Sequence, residues 1–213
     1  GVIGDFFVTY LTAPTLCQYV FGPMGDEPWD HVTVGQCNVA SSASQMPWLF
    51  TIFYGLIVDS VPFFGSRRKG WILFGWTGGL AMLALTAVLL GHFVETHQFE
   101  AYLYMLMGMC ICYTFSDVAA DGLAIELSRY EPDDKKGYIL TTCQMLRFAM
   151  MTISTALGLL FMSGKSYQPP GGAQPGAFVM PFELSLANIH WMLFFMTLPL
   201  YIGMWVWLRD PPA

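Results

Sequence analysis

The chain has 213 residues, of which 55% are hydrophobic and only 11% charged, and its mean hydropathy is +0.51. Soluble domains carry roughly 25% charged residues, so nine basic and fifteen acidic side chains are too few to cover a soluble protein of this length. No basic run exceeds three residues, so we do not expect the protein to bind nucleic acid. The composition indicates a membrane protein built from helices.

Six segments are predicted to span the membrane, because each is apolar over about 20 residues, the length that crosses a bilayer as a helix. They are 1–21, 39–59, 70–94, 101–128, 137–163 and 187–208. The predicted fold is all-α, a polytopic six-helix bundle that forms a single domain over residues 1–213. The chain opens almost inside its first apolar segment, so we expect it to be a fragment.

The distribution of Lys and Arg predicts the orientation. Seven basic residues lie in the connectors 60–69 and 129–136 or at Arg209, whereas the other three connectors hold only Lys165. By the positive-inside rule, these two connectors and both chain ends are predicted to be cytosolic. The histidines, His190 among them, lie outside the spans or at their outer ends, where we expect interfacial positions.

Four residues in the fourth and fifth spans are candidates for a polar site. Asp117 and Asp121 are four residues apart and share one helix face with Tyr113, and Arg147 is predicted at the depth of Asp117 in the neighbouring span. Because charges at mid-membrane are costly and tend to be paired, we expect Arg147 to pair with Asp121 or Asp117. One interpretation is a polar cavity whose surplus acid binds cations or protons. The alternative is a purely structural salt bridge.

Other ionisable residues are predicted to have different roles. Glu126 lies off the stripe of Asp117 and Asp121, and we expect it to meet the basic second connector or Arg129. Asp5 is either a boundary residue or a cavity acid. No catalytic motif and no metal-spaced cluster occurs in the sequence, so we expect neither an enzyme nor a bound metal or cofactor.

The second connector carries the strongest local motif. Gly55 is followed at four residues by Asp59, then by a turn through Pro62 and Gly65, and then by the basic triplet Arg67-Arg68-Lys69. The glycine allows close helix approach. A charged latch of this kind can hold one conformation of a rocking bundle. The alternative is that the triplet is only a positive-inside anchor.

These motifs resemble the folate–biopterin transporter family of the major facilitator superfamily. The spacing of five residues between Asp59 and Gly65 is part of the resemblance. The other matching segments are Met46-Pro47-Trp48, Ser116–Glu126, Glu131-Pro132, Gly137-Tyr138 and Gln144–Arg147. The resemblance covers the whole chain and implies the amino-terminal six of twelve spans, in a transporter that alternates access to a central site.

The resemblance also implies roles for individual residues. Tyr113, Asp117, Asp121 and Arg147, here called the substrate-site group, would line the central site. Arg147 would bind the glutamate carboxylate of folates, Asp121 would accept hydrogen bonds from the pterin ring, and Tyr113 would stack on that ring. A second set, here called the cytosolic latch, would control access; it comprises Gly55, Asp59, Gly65, Arg67, Arg68, Glu126 and Arg129.

The implied partners are a folate or pterin substrate, the lipid bilayer, the carboxy-terminal half of the same transporter and protons as the coupling ion of a symporter. The expected location is the plasma membrane rather than an organelle. Two alternatives remain: a major-facilitator transporter of another small organic solute, and a non-transporting membrane receptor or assembly subunit in which Arg147 and the acids only join helices.

Overall fold

The structure is a computed structural model that describes residues 39, 42–43, 46–66, 68–96, 98–161 and 186–208. The predicted first span, with Asp5, lies outside the described residues, as do Arg67 and Arg209. The described part of the chain is helical, as predicted, and contains no β-strand, only an isolated bridge between Phe63 and Ser66.

The described part contains five helices of ten residues or more. They are α1 (Thr51–Ser60), α2 (Lys69–Glu95), α3 (Phe99–Ser128), α4 (Tyr138–Phe161) and α5 (Leu186–Trp207), with a short 3-10 helix, Asp133–Lys135, before α4. By length and apolar composition, α2, α3 and α5 are able to cross a membrane. Within the described residues, length and apolar composition therefore support three of the six predicted spans, 70–94, 101–128 and 187–208.

The second predicted span, 39–59, differs from the helix observed there. Residues 46–49 are helical, but Phe50 forms a turn and α1 begins only at Thr51. The Phe50 amide donates to the Pro47 carbonyl at 3.2 Å, and the Thr51 hydroxyl donates to the Trp48 carbonyl. These bonds span three residues instead of four, so they tighten the chain into a turn at the point where the prediction had one continuous helix.

Helix α3 is central, because it packs against α1, α2 and α4, while α2 also packs against α5. Glycines on α2 allow the close approach of α3. A Cβ atom at Gly75 would lie 2.4 Å from the Cys112 carbonyl oxygen, and one at Gly79 would lie 2.6 Å from Cζ of Tyr113. Small residues at helix contacts are the usual means by which membrane helices approach closely.

His190 is buried in the bundle, and the interfacial depth expected for it stays a prediction. Its side chain is 0% exposed, and its ring lies 6.3 Å from that of Tyr102, which is itself buried. The position of a residue near the end of a span predicts its depth in the membrane but not the direction in which it points around the helix. His190 points into the bundle, toward α3.

An aromatic cluster fixes the connector between α1 and α2. The ring of Trp71 stacks on Phe63 at 4.8 Å and on Phe115 at 5.4 Å, and Tyr54 lies 4.6 Å from Phe115. The Trp71 indole N–H also donates to the Val61 carbonyl at 2.8 Å. These contacts hold the connector against α2 and α3 and so position Arg68 near its end.

Candidate functional site

The substrate-site group centres on Arg147. Helix α3 places Asp117 and Asp121 one turn apart, and Nη2 of Arg147 on α4 lies 2.9 Å from Oδ1 of each carboxylate. The predicted pairing of Arg147 with one of the two acids is confirmed, and the guanidinium in fact bridges both. The two acids and one cation leave a single surplus negative charge if all three are ionised.

The three charged side chains differ in their burial. The Asp117 side chain is 10% exposed, that of Arg147 is 29% and that of Asp121 is 46%. Among the described residues, Nε and Nη1 of Arg147 make no hydrogen bond, so three of its five N–H donors are open to an external acceptor. A planar guanidinium with unused donors is suited to binding a carboxylate.

Tyr113 occupies a different environment from the acids on its helix. Its side chain is 2% exposed, and its ring meets that of Trp76 edge-on at 5.7 Å. It packs against α2 at Gly79, and its hydroxyl has no hydrogen-bond partner among the described residues. The structure thus places Tyr113 in the core between α2 and α3, and its stacking on a substrate remains a prediction.

The cytosolic latch centres on Arg68. Its Nε and Nη2 atoms each lie 2.9 Å from Oε1 of Glu126, and Nη2 lies 3.1 Å from Oδ1 of Asp59. The Arg68 side chain is only 11% exposed. The predicted contact of Glu126 with the basic second connector is confirmed, and one guanidinium joins α1, the connector and α3.

The turn before Arg68 has the tight geometry that the motif predicts. Phe63 and Ser66 exchange two backbone hydrogen bonds, of 3.0 and 3.2 Å, around Phe64 and Gly65. Both central residues have positive φ, 52° for Phe64 and 72° for Gly65, which is the pattern of a type I′ turn. The Ser66 hydroxyl then accepts a 2.6 Å hydrogen bond from the Gly70 amide and caps the start of α2.

The remaining members of the latch lie around these ion pairs. Gly55 faces α3, where a Cβ atom would meet Cγ1 of Val118 at 3.7 Å, an ordinary contact. Arg129 is exposed at the carboxyl end of α3, where a cation is favourable to the helix dipole, and it makes no ion pair within the described part of the chain. Arg67 lies outside the described residues.

A cavity of about 530 Å³ between α1 and α3 connects the two groups. Its lining includes Asp121 of the substrate-site group together with Asp59, Arg68, Glu126 and Arg129 of the latch. A solute or proton at Asp121 is therefore in the same space as the ion pairs of the latch. Within the described ranges, no three His, Cys, Asp or Glu side chains are placed to hold a metal ion.

Sequence reasoning missed two residues. Gly122 lies directly against Arg68, so that a Cβ atom there would be 1.6 Å from Nη1. The carboxylate of Glu131 accepts hydrogen bonds from the Gly137 and Ile139 amides at the start of α4. The available signals were the glycine directly after Asp121 and an acid six residues before Gly137, but neither pattern alone specifies such a contact.

Comparison with known families identifies the group to which these motifs belong. The model of the BT1 family matches residues 29–160, a range that includes every predicted member of both groups. The chain belongs to the BT1 family. This is the folate–biopterin transporter family, related to the major facilitator superfamily, that the sequence resembles. No curated protein and no solved structure matched the chain.

Membership of the BT1 family and the three apolar helices together indicate an integral membrane protein of a transporter family. The structure adds two features. In the first, Arg147 bridges two acids and has further N–H donors that bind no described residue. In the second, the half-buried ion pairs of Arg68 lie next to a tight turn. The candidate functional site comprises these two features and the cavity between them, which is lined by Asp121 from the first and by Asp59, Arg68 and Glu126 from the second.

Proposed function

We propose that this chain forms the amino-terminal half of a secondary active transporter that moves folate- or pterin-type solutes by alternating access, coupled to protons. The observation that carries the proposal is the bridge from Arg147 to Asp117 and Asp121, in a chain of the BT1 family. Both chain ends are proposed to face the cytosol, and the plasma membrane is the proposed location.

The unused donors of Arg147 support a role in binding cargo. A substrate carboxylate, such as the glutamate group of a folate, would be bound by Nε and Nη1 without displacing the acids from Nη2. Asp121 is the more exposed acid and lines the cavity, so it is the group proposed to accept hydrogen bonds from a pterin ring.

The surplus acid supports proton coupling. Two carboxylates that share a single cation at close range do not ionise independently, because each raises the cost of charging the other. Protonation of Asp121 would leave the three side chains with no net charge, because the charges of Asp117 and Arg147 cancel and Asp121 would be uncharged. A substrate anion at Arg147 would make that protonation more favourable, which is the energetic link that a symporter needs.

The latch supports alternating access. Arg68 holds α1 to α3 through Asp59 and Glu126, and a motion that separates these helices would break at least one of the two ion pairs. We propose that the intact latch stabilises one conformation of the transporter and that its opening gives the cavity access to the cytosol. The carboxy-terminal half of the transporter would supply the second wall of the central site.

Two alternatives predict different results. A transporter of another small organic solute would keep both groups and the pH dependence but carry neither folate nor pterin. A receptor or assembly subunit would use Arg147 only to join α3 and α4. The unused donors of Arg147 and the cavity beside Asp121 favour a binding role over a purely structural bridge.

The deciding experiment is uptake of tritiated folic acid and tritiated biopterin by cells that express the full-length protein, with external pH varied. We expect saturable uptake that rises as external pH falls. Uptake of neither compound, with the protein present in the membrane, would reject folate and pterin as cargo. A wider solute panel then separates another cargo from no transport.

A further inference from the structure

Gly122 on α3 lies directly against Arg68 of the cytosolic latch. It follows Asp121 directly and precedes Glu126 by one helical turn. A Cβ atom at this position would lie 1.6 Å from Nη1 of Arg68 and 2.6 Å from its Cζ atom. Both distances are far below van der Waals contact, so the guanidinium rests on the bare backbone of α3.

The backbone itself gives no reason for a glycine here. Gly122 lies inside α3 and is not among the glycines with positive φ, which in the described residues are Gly65 and Gly137. A glycine inside a helix costs about 1 kcal/mol relative to alanine, so its presence calls for a contact that alanine would prevent. The position of Arg68 is that contact.

We propose that Gly122 is the positioning residue of the cytosolic latch, since only a position without a side chain lets Arg68 reach Asp59 and Glu126 together. The inference rests on the proposed function, in which the latch controls access to the cavity. Gly122 follows Asp121 in the chain but has no side chain with which to bind a substrate, and it acts through Arg68.

Displacing Arg68 would change the cavity as well as the ion pairs. Arg68 and Gly122 both line the space that contains Asp121. With the guanidinium moved away, Glu126, whose side chain is 23% exposed, would lose its nearest cation. The conformation that the latch stabilises would then be less populated, although no charged residue has been replaced.

The test is a double-mutant cycle in the full-length protein, with Gly122→Ala, Arg68→Ala and the two combined. Gly91→Ala is the matched control, because it adds the same methyl group inside a helix, outside both groups, at a position where nothing lies within 4 Å of the added atom. The readouts are the maximal rate and KM of tritiated folic acid and biopterin uptake, and the thermal unfolding midpoint of each purified protein.

We expect Gly122→Ala to lower the maximal rate about tenfold, the effect of losing a charge-assisted hydrogen bond, while KM stays within about twofold. Gly91→Ala should behave like the natural protein. Once Arg68→Ala has been made, adding Gly122→Ala should cost nothing further in rate or in thermal midpoint. Equal effects of Gly122→Ala with and without Arg68, or no effect at all, would overturn the inference.

Two further outcomes are also informative. If Gly122→Ala fails to accumulate, recovery of the protein by Arg68→Ala supports the clash, and failure of the double variant rejects it. If the natural protein carries neither compound, the proposed function fails on its own, and the coupling of Gly122 to Arg68 is still decided by the thermal midpoints.

Discussion

The Nη2 atom of Arg147 lies 2.9 Å from the Oδ1 atom of Asp117, although thirty residues separate them in the chain. The same nitrogen is equally close to Asp121. Apart from this bridge, α4 has extensive exposed apolar surface, with Phe148 at 65% exposure as one example. Within the described residues α4 packs mainly against α3, so Arg147 is a principal polar link between the two helices.

Two replacements of Arg147 should distinguish the effect of its positive charge from the effect of its planar guanidinium group. Arg147→Ala removes the cation that bridges Asp117 and Asp121, and we expect uptake to be abolished and the unfolding free energy to fall by about 1–3 kcal/mol. Arg147→Lys keeps one cation for the acids but loses the planar donors, so it should retain most of the stability and lose at least tenfold in uptake.

Uptake assays and thermal unfolding of both Arg147 variants check this prediction, with membrane abundance measured in parallel. Undiminished uptake by Arg147→Ala at normal abundance would exclude the binding role. Equal uptake by Arg147→Lys and the natural protein would show that only the charge matters, and the guanidinium would then have no specific function in recognition.

The two acids should respond differently to the same substitution. Asp117 is nearly buried and Asp121 is about half exposed, so Asp117→Asn should destabilise the protein by about 1–3 kcal/mol, whereas Asp121→Asn should change stability by less than about 0.5 kcal/mol. Because Asp121 lines the cavity, Asp121→Asn should flatten the dependence of uptake on external pH. Retained pH dependence in Asp121→Asn would assign the coupling proton to another group.

Close packing of α2 on α3 gives a prediction about stability alone. A Cβ atom at Gly75 would meet backbone, the Cys112 carbonyl oxygen at 2.4 Å, whereas at Gly108 it would meet the flexible end of Met82 at 2.5 Å. Gly75→Ala must therefore move the helices apart and should cost about 1–3 kcal/mol. Gly108→Ala only displaces a methyl group and should cost less than about 1 kcal/mol.

Thermal unfolding of the full-length variants measures both effects. Gly91→Ala is the neutral reference, because nothing lies within 4 Å of the added atom. Equal midpoints for Gly75→Ala and Gly91→Ala would show that α2 and α3 are less closely packed than the distance between Gly75 and Cys112 indicates.

The sequence predicted the fold class and the ion pairs because both follow from the cost of charge in an apolar medium. Few positions in a span tolerate Asp or Arg, so matching depths were enough to pair Arg147 with the acids. The ends of α2, α3 and α5 also lie within two residues of the predicted bounds, since the apolar runs there end abruptly at charges.

Direction around a helix and close backbone contacts were not predictable in this way. His190 and Tyr113 are both buried, yet nothing in their spacing alone shows which neighbour they face. Nothing in the sequence distinguishes Gly122 from the other glycines in the spans, and only the three-dimensional position of Arg68 shows the contact that it makes. Such contacts depend on how two distant segments meet, which one sequence does not contain.

Glu131 gives a last prediction, on the start of the helix that carries Arg147. Its carboxylate accepts hydrogen bonds from the Gly137 and Ile139 amides, so it satisfies donors that have no partner within α4. Glu131→Ala should cost about 0.5–2 kcal/mol, as loss of a helix cap does. Since α4 packs mainly against α3, fraying at this end should also loosen the placement of Arg147.

Asp133→Ala is the matched control, because that acid is 93% exposed and pairs only with Lys136 three residues later, a type of contact worth little. We expect trypsin to cleave after Lys135 and Lys136 several times faster in Glu131→Ala than in Asp133→Ala, with uptake reduced in the first variant only. The cleavage rate reports local opening at the start of α4. If both variants are cleaved and transport alike, the Glu131 cap does not hold α4 in place, and Arg147 alone must set the position of that helix against α3.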